Sequence, residues 1–376
     1  MSDAPLSSQW IDVSRVDDVR DVVHRAVACL AQGGVVGLAT ETVYSLVACA
    51  LRPEAVARVR AIRGALPSRP LTLLLKGPEE VTDWVPRISE VGRRMAWRLW
   101  PGPLTLVFKA NGTSGLYDRL PEEVKPLVSP EGDVALRSPS QVIVRDVLSL
   151  LPAPLVISMV TDADQSVPAT AERLRAVPGL DMVIDSGPTQ FQQFATVVRV
   201  DGDNWAIERE GVIDAASLVE SASRIILFVC TGNTCRSPMA EAICKALLAR
   251  RLHCTVDELA ARGFVVRSAG VAAYDGHPAA AHAVDVVRSF GGSLESHRSR
   301  RIDSRLARGA DYIFAMTIDH LDDLVRAVPE VEERVFLLDP SGGDVSDPVG
   351  CDFETYRRTC RTIEAMLEDR LGEILV

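Results

Sequence analysis

Residues 224–241 read RIILFVCTGNTCRSPMAE, and this run restricts the fold more than any other in the chain. From Ile225 to Val229 every side chain is apolar, as in a strand covered on both faces of a parallel sheet. A helical pattern begins at Pro238 and continues to Arg251. A strand that passes through a short loop straight into a helix is the building unit of an α/β sheet. The alternation continues downstream. Strands are expected at Phe264–Ser268, Tyr312–Met316 and Val335–Leu338, with helices at Pro278–Phe290, Ile318–Val328 and Phe353–Leu371. The pattern predicts a doubly wound, four-stranded parallel sheet over 224–376.

Upstream the pattern is less regular. A helix is expected over Val16–Gln32 and a strand over Gly33–Thr40. Further strands are expected at Leu71–Leu75, Leu104–Phe108, Val134–Leu136, Leu155–Ser158, Met182–Ile184 and Thr196–Val200. Helices fit Ala55–Ile62, Glu90–Leu99 and Ala171–Ala176. This mixture predicts a separate α/β domain around one twisted sheet over 1–213. Residues 214–223, DAASLVESAS, are small and polar with no strong apolar period, and are expected as a linker. A length of 376 residues suits two domains.

Composition excludes several classes. With 47% hydrophobic and 24% charged residues, the chain has the balance of a globular protein and not of a disordered one. A net charge of −10 argues against a broadly basic nucleic-acid surface. No apolar run approaches the roughly 18–20 residues of a membrane span, and the N-terminal residues lack the basic-then-apolar order of a secretory signal. Eight cysteines are too sparse for a disulfide scaffold. A cytoplasmic protein with free thiols is expected, with no membrane partner.

The loop after the first strand carries the chemistry. Gly232 and Asn233 tolerate left-handed backbone angles, which turn successive N–H groups to one side. The amides of Thr231, Gly232, Asn233, Thr234 and Cys235, with the free N–H groups of the following helix, form a cradle for a tetrahedral dianion. Arg236 closes the cradle with a planar fork able to hold two phosphoryl oxygens. Cys230 lies at its floor, where amides and cation favour the nucleophilic thiolate. The Ser237 hydroxyl is placed to donate to that sulfur. A thiolate beneath a bound phosphoryl group is set for in-line attack and a phosphocysteine intermediate, with no metal or cofactor required. Asp347, in the glycine-containing segment SGGDVSDPVG, is the candidate acid for the leaving group and base for the hydrolytic water. A structural zinc site is not expected, because Cys230 and Cys235 have no second pair at ligand spacing.

Val229–Pro238, with Ala240 and Glu241, resembles the signature of the low-molecular-weight protein phosphatases. The resemblance spans essentially 224–376, including Ser268-Ala269-Gly270 and Asp347-Pro348. It implies Cys230 as nucleophile, Arg236 as phosphate clamp and Asp347 as general acid, with a phosphorylated protein as substrate. Tyr274 falls where family members carry a specificity residue on the rim. The position of Thr234 is usually apolar in the tyrosine phosphatases and Thr in the bacterial arginine-phosphatase branch. The stretches Cys230–Glu241 and Arg267–Val271 resemble that branch. Phosphoarginine is therefore favoured over phosphotyrosine. Arsenate reduction on the same scaffold needs two further cysteines mid-domain, and none stands between Cys254 and Cys351.

Segments 33–46 (GGVVGLATETVYSL), 100–108 (WPGPLTLVF), 134–139 (VALRSP) and 195–200 (ATVVRV), with Arg209–Ile213, resemble the YrdC-like threonylcarbamoyl-AMP synthase family over about 16–213. That resemblance implies a twisted α/β sheet and ATP, L-threonine and bicarbonate as substrates in tRNA modification. Thr40, Arg63, Arg69, Arg137 and Arg209 match the family's nucleotide-binding positions. Other polar positions depart from it: Ala65 replaces a basic residue, Met159 and Thr161 a Ser and an Asn, Ala195 a Ser, and Ser45 a Gly. A Met in place of a Ser removes a donor and an acceptor and adds bulk. The expectation is a degenerate synthase-like domain. The alternatives are retained synthase activity or a module binding nucleotide or double-stranded RNA.

Overall fold

The computed structural model describes residues 8–63, 70–109, 115–159, 166–175 and 177–375. They fall into two compact units, Met1–Ser221 and Ala222–Val376. Among the described residues no helix is long and apolar enough to cross a membrane.

The first unit is built on one mixed ten-stranded sheet. Its strands are β1 (Gln9–Asp12), β2 (Val36–Ala39), β3 (Tyr44–Cys49), β4 (Thr72–Leu74), β5 (Leu104–Lys109), β6 (Asp133–Arg137), β7 (Leu155–Met159), β8 (Met182–Asp185), β9 (Thr196–Asp201) and β10 (Asn204–Arg209). Their spatial order is β1-β8-β2-β3-β7-β4-β6-β5-β9-β10. The helices Val19–Ala31 and Val142–Leu150 bury apolar stripes, Val22/Val23/Ala26/Leu30 and Ile143/Val144/Val147/Leu148, against β2, β3, β7 and β8.

Several elements here escape the sequence pattern, each for a physical reason. Strand β3 is buried along its whole length between β2 and β7, so it shows no alternation to separate it from the preceding run. Strand β10 is an edge strand, paired with β9 alone among the described residues; half of its residues are polar and none is buried, so no apolar run marks it. The helix Val142–Leu150 is rich in β-branched residues, which favour strands in isolation. Its start is set by Gln141, whose side chain accepts from the Val144 amide at 3.0 Å. The helix expected at Ala171–Ala176 is a 3-10 turn over Ala171–Leu174, with residue 176 outside the described residues. Within the expected linker, Ala215–Ala222 is helical. Asp214 caps it by accepting from the Ser217 amide at 2.7 Å, and Leu218 is fully buried.

The second unit carries the four-stranded parallel sheet: β11 (Arg224–Cys230), β12 (Phe264–Gly270), β13 (Tyr312–Ala315) and β14 (Val335–Leu337), in the order β12-β11-β13-β14. Side-chain alternation along β11 divides the core. Ile226, Phe228 and Cys230 face the helices Arg236–Arg251, Ala281–Arg288 and Phe353–Leu375. Ile225, Leu227 and Val229 face Ala307, Leu324 and Val331 on the opposite side. Both faces are thus covered, which explains the uninterrupted apolar run. The chain leaves β11 for β12 on one side and later returns to β13 on the other. The carboxyl end of β11 is therefore the topological switch point, where an open α/β sheet leaves a crevice.

Candidate active site

Residues 230–236 curl around that crevice. Asn233 alone among them takes the left-handed backbone, at φ 53°; Gly232, expected to share it, does not. The loop carbonyls turn outward: those of Cys230, Thr231 and Thr234 accept from the amides of Val271, Ala272 and Ala280 at 2.9–3.0 Å. The Asn233 carbonyl is met by His297 Nε2 at 2.8 Å. This leaves the amides for the concave side. The helix Arg236–Arg251 has no side-chain cap at its start, which leaves N–H groups of its first turn for a ligand.

The tip of β12 must lie unusually close to this loop. A Cβ on Gly270 would meet the Thr231 carbonyl oxygen at 2.4 Å and the Asn233 nitrogen at 3.0 Å, so only glycine fits there. A buried polar network then fixes the left-handed turn. Asn233 Nδ2 donates to Ser237 Oγ and to Ser268 Oγ, each at 2.9 Å. Its Oδ1 accepts from the Arg300 amide at 2.9 Å. Ser268 Oγ in turn donates to Glu241 Oε2 at 2.6 Å. Ser268, Glu241 and His297 support the loop from behind. Ser268 was legible only as part of a motif, and His297 carried no sequence signal.

Cys230 is buried, and its sulfur lies 2.9 Å from Ser237 Oγ and 3.3 Å from the Asn233 amide, which donates to it. Ser237 Oγ also reaches the Ala269 carbonyl at 3.2 Å. The hydroxyl has a single hydrogen and accepts one from Asn233, so it can serve the carbonyl or the sulfur, and a thiolate draws it to the sulfur. Arg236 is buried, with Nη1 donating to the Val345 carbonyl at 3.2 Å and Nη2 to Asp347 Oδ2 at 2.5 Å. The candidate nucleophile, clamp and acid thus meet in one crevice although 117 positions separate Cys230 from Asp347. Asp347 Oδ1 accepts from the Val349 amide at 3.1 Å, which orients the carboxylate.

The remaining candidates take different places. Thr234 Oγ1 lies 3.7 Å from Cys235 Sγ, a weak contact that leaves its hydroxyl available. Cys235 is buried, with its sulfur 3.1 Å from the Tyr356 hydroxyl, so it offers its backbone to the cradle. Tyr274 is 81% exposed on the loop after β12, with its ring edge-on to His277. Burial pushes the Cys360 thiol up to about 12 and the Cys244 thiol up as well, which leaves both protonated and inert.

In the first unit, the candidate nucleotide-binding side chains are largely engaged with the protein. Thr40 Oγ1 is buried against Thr42 Oγ1 at 2.8 Å and the Val43 carbonyl at 2.9 Å. Arg137 is buried and donates to Glu41 Oε1 at 2.5 Å and Thr42 Oγ1 at 2.9 Å, although its Nε has no partner among the described residues. Burial pushes the Glu41 carboxyl up, but Arg137 and the Ser140 amide outweigh it and hold the group below its ordinary value. Arg209 donates through Nε and Nη2 to the Ala195 carbonyl, at 3.2 and 2.9 Å, and its Nη1 rests against Met159 Sδ at 3.7 Å. Arg63 ends the helix Pro53–Arg63, while its side chain and all of Arg69 and Thr161 lie outside the described residues.

A strand–loop–helix turn with a cysteine at its floor thus lies at the switch point of a parallel sheet. Residues 225–374 match the family model described as low molecular weight phosphotyrosine protein phosphatase. The chain belongs to that family and is a phosphatase. It is 37% identical over 155 residues to a protein-arginine-phosphatase of Geobacillus stearothermophilus, covering 40% of this chain and 95% of that one. It is 38% identical over 146 residues to a protein-arginine-phosphatase of Bacillus subtilis, covering 38% and 91%. It is also 41% identical over 113 residues to the low molecular weight protein-tyrosine-phosphatase Etp of Escherichia coli, covering 30% and 68%. Residues 28–211 match the Sua5/yciO/yrdC family model, described as telomere recombination, so the chain joins a YrdC-like domain to the phosphatase.

Proposed function

We propose that residues 224–376 hydrolyse phosphoarginine on proteins through a phosphocysteine intermediate. The Cys230 thiolate attacks phosphorus while the bond to the guanidino nitrogen breaks, and Asp347 gives that nitrogen its proton. Arg236 and the loop amides hold the three equatorial oxygens as charge spreads over them. Water, deprotonated by Asp347, then attacks phosphorus, releasing inorganic phosphate and the thiolate.

Thr234 carries the choice of substrate. Its hydroxyl makes only a weak contact within the protein, and a polar guanidinium gives it a partner that a flat aromatic ring does not. The two relatives named protein-arginine-phosphatases, of which this chain covers 95% and 91%, support the same reading. Thr234→Ile is expected to shift the ratio of phosphoarginine to phosphotyrosine turnover by about 10–100-fold towards phosphotyrosine. The ratio of kcat/KM values on the two substrates measures it, and an unchanged ratio removes Thr234 as the determinant.

For residues 28–211 we infer a degenerate synthase-like domain. The Arg137 guanidinium is bound to Glu41, and Met159 and Ala195 occupy the surroundings of Arg209. Isothermal titration of the full chain, carrying Cys230→Ser, with ATP and L-threonine is expected to give no heat of binding. Tight ATP binding would instead favour retained synthase chemistry or a nucleotide-binding module.

A further inference from the structure

His320 stands in the first turn of the helix Ile318–Ala327 and is 5% exposed. Both ring nitrogens meet hydroxyls. Nδ1 lies 2.8 Å from Thr317 Oγ1, and Nε2 lies 2.8 Å from Thr231 Oγ1. Thr317 is also the N-cap of this helix, so the ring is anchored on its outer side by the residue that starts the helix. On its inner side it touches the residue that follows Cys230.

Thr231 Oγ1 is a junction. Arg236 Nη2 reaches it at 3.5 Å, and a guanidinium can only donate, so the oxygen accepts on that side. The hydroxyl has two lone pairs and one hydrogen. When Nε2 carries a proton it fills the second lone pair, and the Thr231 hydrogen is left for an oxygen in the cradle. When Nε2 is bare, that hydrogen is taken by the ring. The imidazole therefore sets what Thr231 offers to a phosphoryl group and one of the contacts that hold Arg236.

The ring is surrounded by charge from several elements. Arg236 faces it from the helix Arg236–Arg251, Asp347 from the loop after β14, and Asp319 and Asp323 from its own helix. Burial, and next the Arg236 cation, hold His320 below the ordinary imidazole value, and the three carboxylates offset this only in part. Near neutral pH the ring is thus uncharged, with one nitrogen a donor and the other an acceptor.

We propose that His320 is a positioning residue for phosphoryl transfer, which fixes the Thr231 hydroxyl, and through it the Arg236 guanidinium, in the arrangement that receives the phosphoryl group. The proposal rests on the reading of Cys230 and Arg236 given above. It assigns a function to a helix, Ile318–Ala327, that otherwise only covers the sheet.

The test uses the full chain with para-nitrophenyl phosphate as probe, comparing the wild type with His320→Ala, His320→Gln, Thr231→Val and the His320→Ala/Thr231→Val double variant. His320→Ala and Thr231→Val are each expected to lower kcat about tenfold, the effect of one hydrogen bond lost in the transition state, with KM changed less than about twofold. The double variant is expected to lose no more than either single one, since both remove the same contact. Glutamine, which has a donor and an acceptor on one side chain, is expected to recover most of the rate. Wild-type kcat in Thr231→Val, multiplied losses in the double variant, or no recovery with glutamine would each overturn the proposal. Thr231 is exposed, so its variant reports even where removal of the buried imidazole prevents folding. Cys230→Ser separates the two readings. If it keeps turning over the probe, the reading of the cradle fails and this proposal with it; if it is inert while Thr231→Val matches the wild type, only the role of His320 fails.

Discussion

Replacing Cys230 with Ser is expected to lower turnover of para-nitrophenyl phosphate by about 10⁴-fold or more, while inorganic phosphate still binds. The sulfur is the floor of the cradle and the atom that would form the covalent bond to phosphorus. A hydroxyl is far less acidic than a thiol, and the groups hydrogen-bonded to the sulfur among the described residues, Ser237 Oγ and the Asn233 amide, are not bases that could activate it. The loop amides, the helix start and Arg236 are untouched by the change, so the dianion site persists. Steady-state kinetics and isothermal titration with phosphate make the two measurements. Mass spectrometry of acid-quenched wild-type chain adds a third, since a phosphoryl group is expected on Cys230 during turnover. Activity in Cys230→Ser within a factor of about 100 of the wild type would remove the covalent mechanism.

The second large effect is expected for Asp347→Asn, and it is not uniform. An amide gives up no proton, so departure of a poor leaving group should slow by about 10²–10³-fold, whereas para-nitrophenolate, which leaves without help, should slow far less. Binding should move in the opposite direction. Asp347 Oδ2 holds Arg236 Nη2 at 2.5 Å, and this carboxylate must give way before the guanidinium can grip two phosphoryl oxygens. Asparagine weakens that competition, so inhibition by inorganic phosphate should tighten as kcat falls. A series of aryl phosphates of graded leaving ability, with phosphate inhibition measured in parallel, tests both halves. Equal kcat across the series in variant and wild type would remove Asp347 as the acid.

The legibility of the two units differs for a physical reason. In the second, the central strands β11 and β13 are covered on both faces and appear as bounded apolar runs, and helices follow at regular intervals. The first mixes parallel and antiparallel neighbours in a sheet of ten strands. There, β3 hides in a longer apolar stretch, β10 has no buried residue and no apolar run, and β-branched residues disguise the helix Val142–Leu150. The cradle shows the same contrast on a smaller scale. Cys230, Thr231, Asn233, Arg236 and Ser237 lie within eight residues and announce themselves by spacing. Ser268 and Gly270 come from a distant segment and were legible only through the resemblance of Ser268-Ala269-Gly270, and nothing local distinguishes His297 and His320 from histidines elsewhere.

By itself the sequence determined that a buried strand runs through a tight loop into a helix, with a thiol and a guanidinium at set positions, because backbone sterics and apolar periodicity act over a few residues. It also singled out Asp347 as a candidate acid, from the glycine-containing segment around it and then from the resemblance. The tertiary structure decided what those residues can do. The order β12-β11-β13 opens the crevice at the end of β11, and Gly270 lets the neighbouring strand approach the loop. The return of the chain at 345–347 brings a carbonyl and a carboxylate to Arg236. In the first unit, tertiary packing set Glu41 against Arg137, so that a residue matching a nucleotide-binding position forms a buried ion pair. Hydrogen bonds and charge pairs act over about 3 Å in space regardless of separation along the chain. Their partners are therefore known only once the chain has folded.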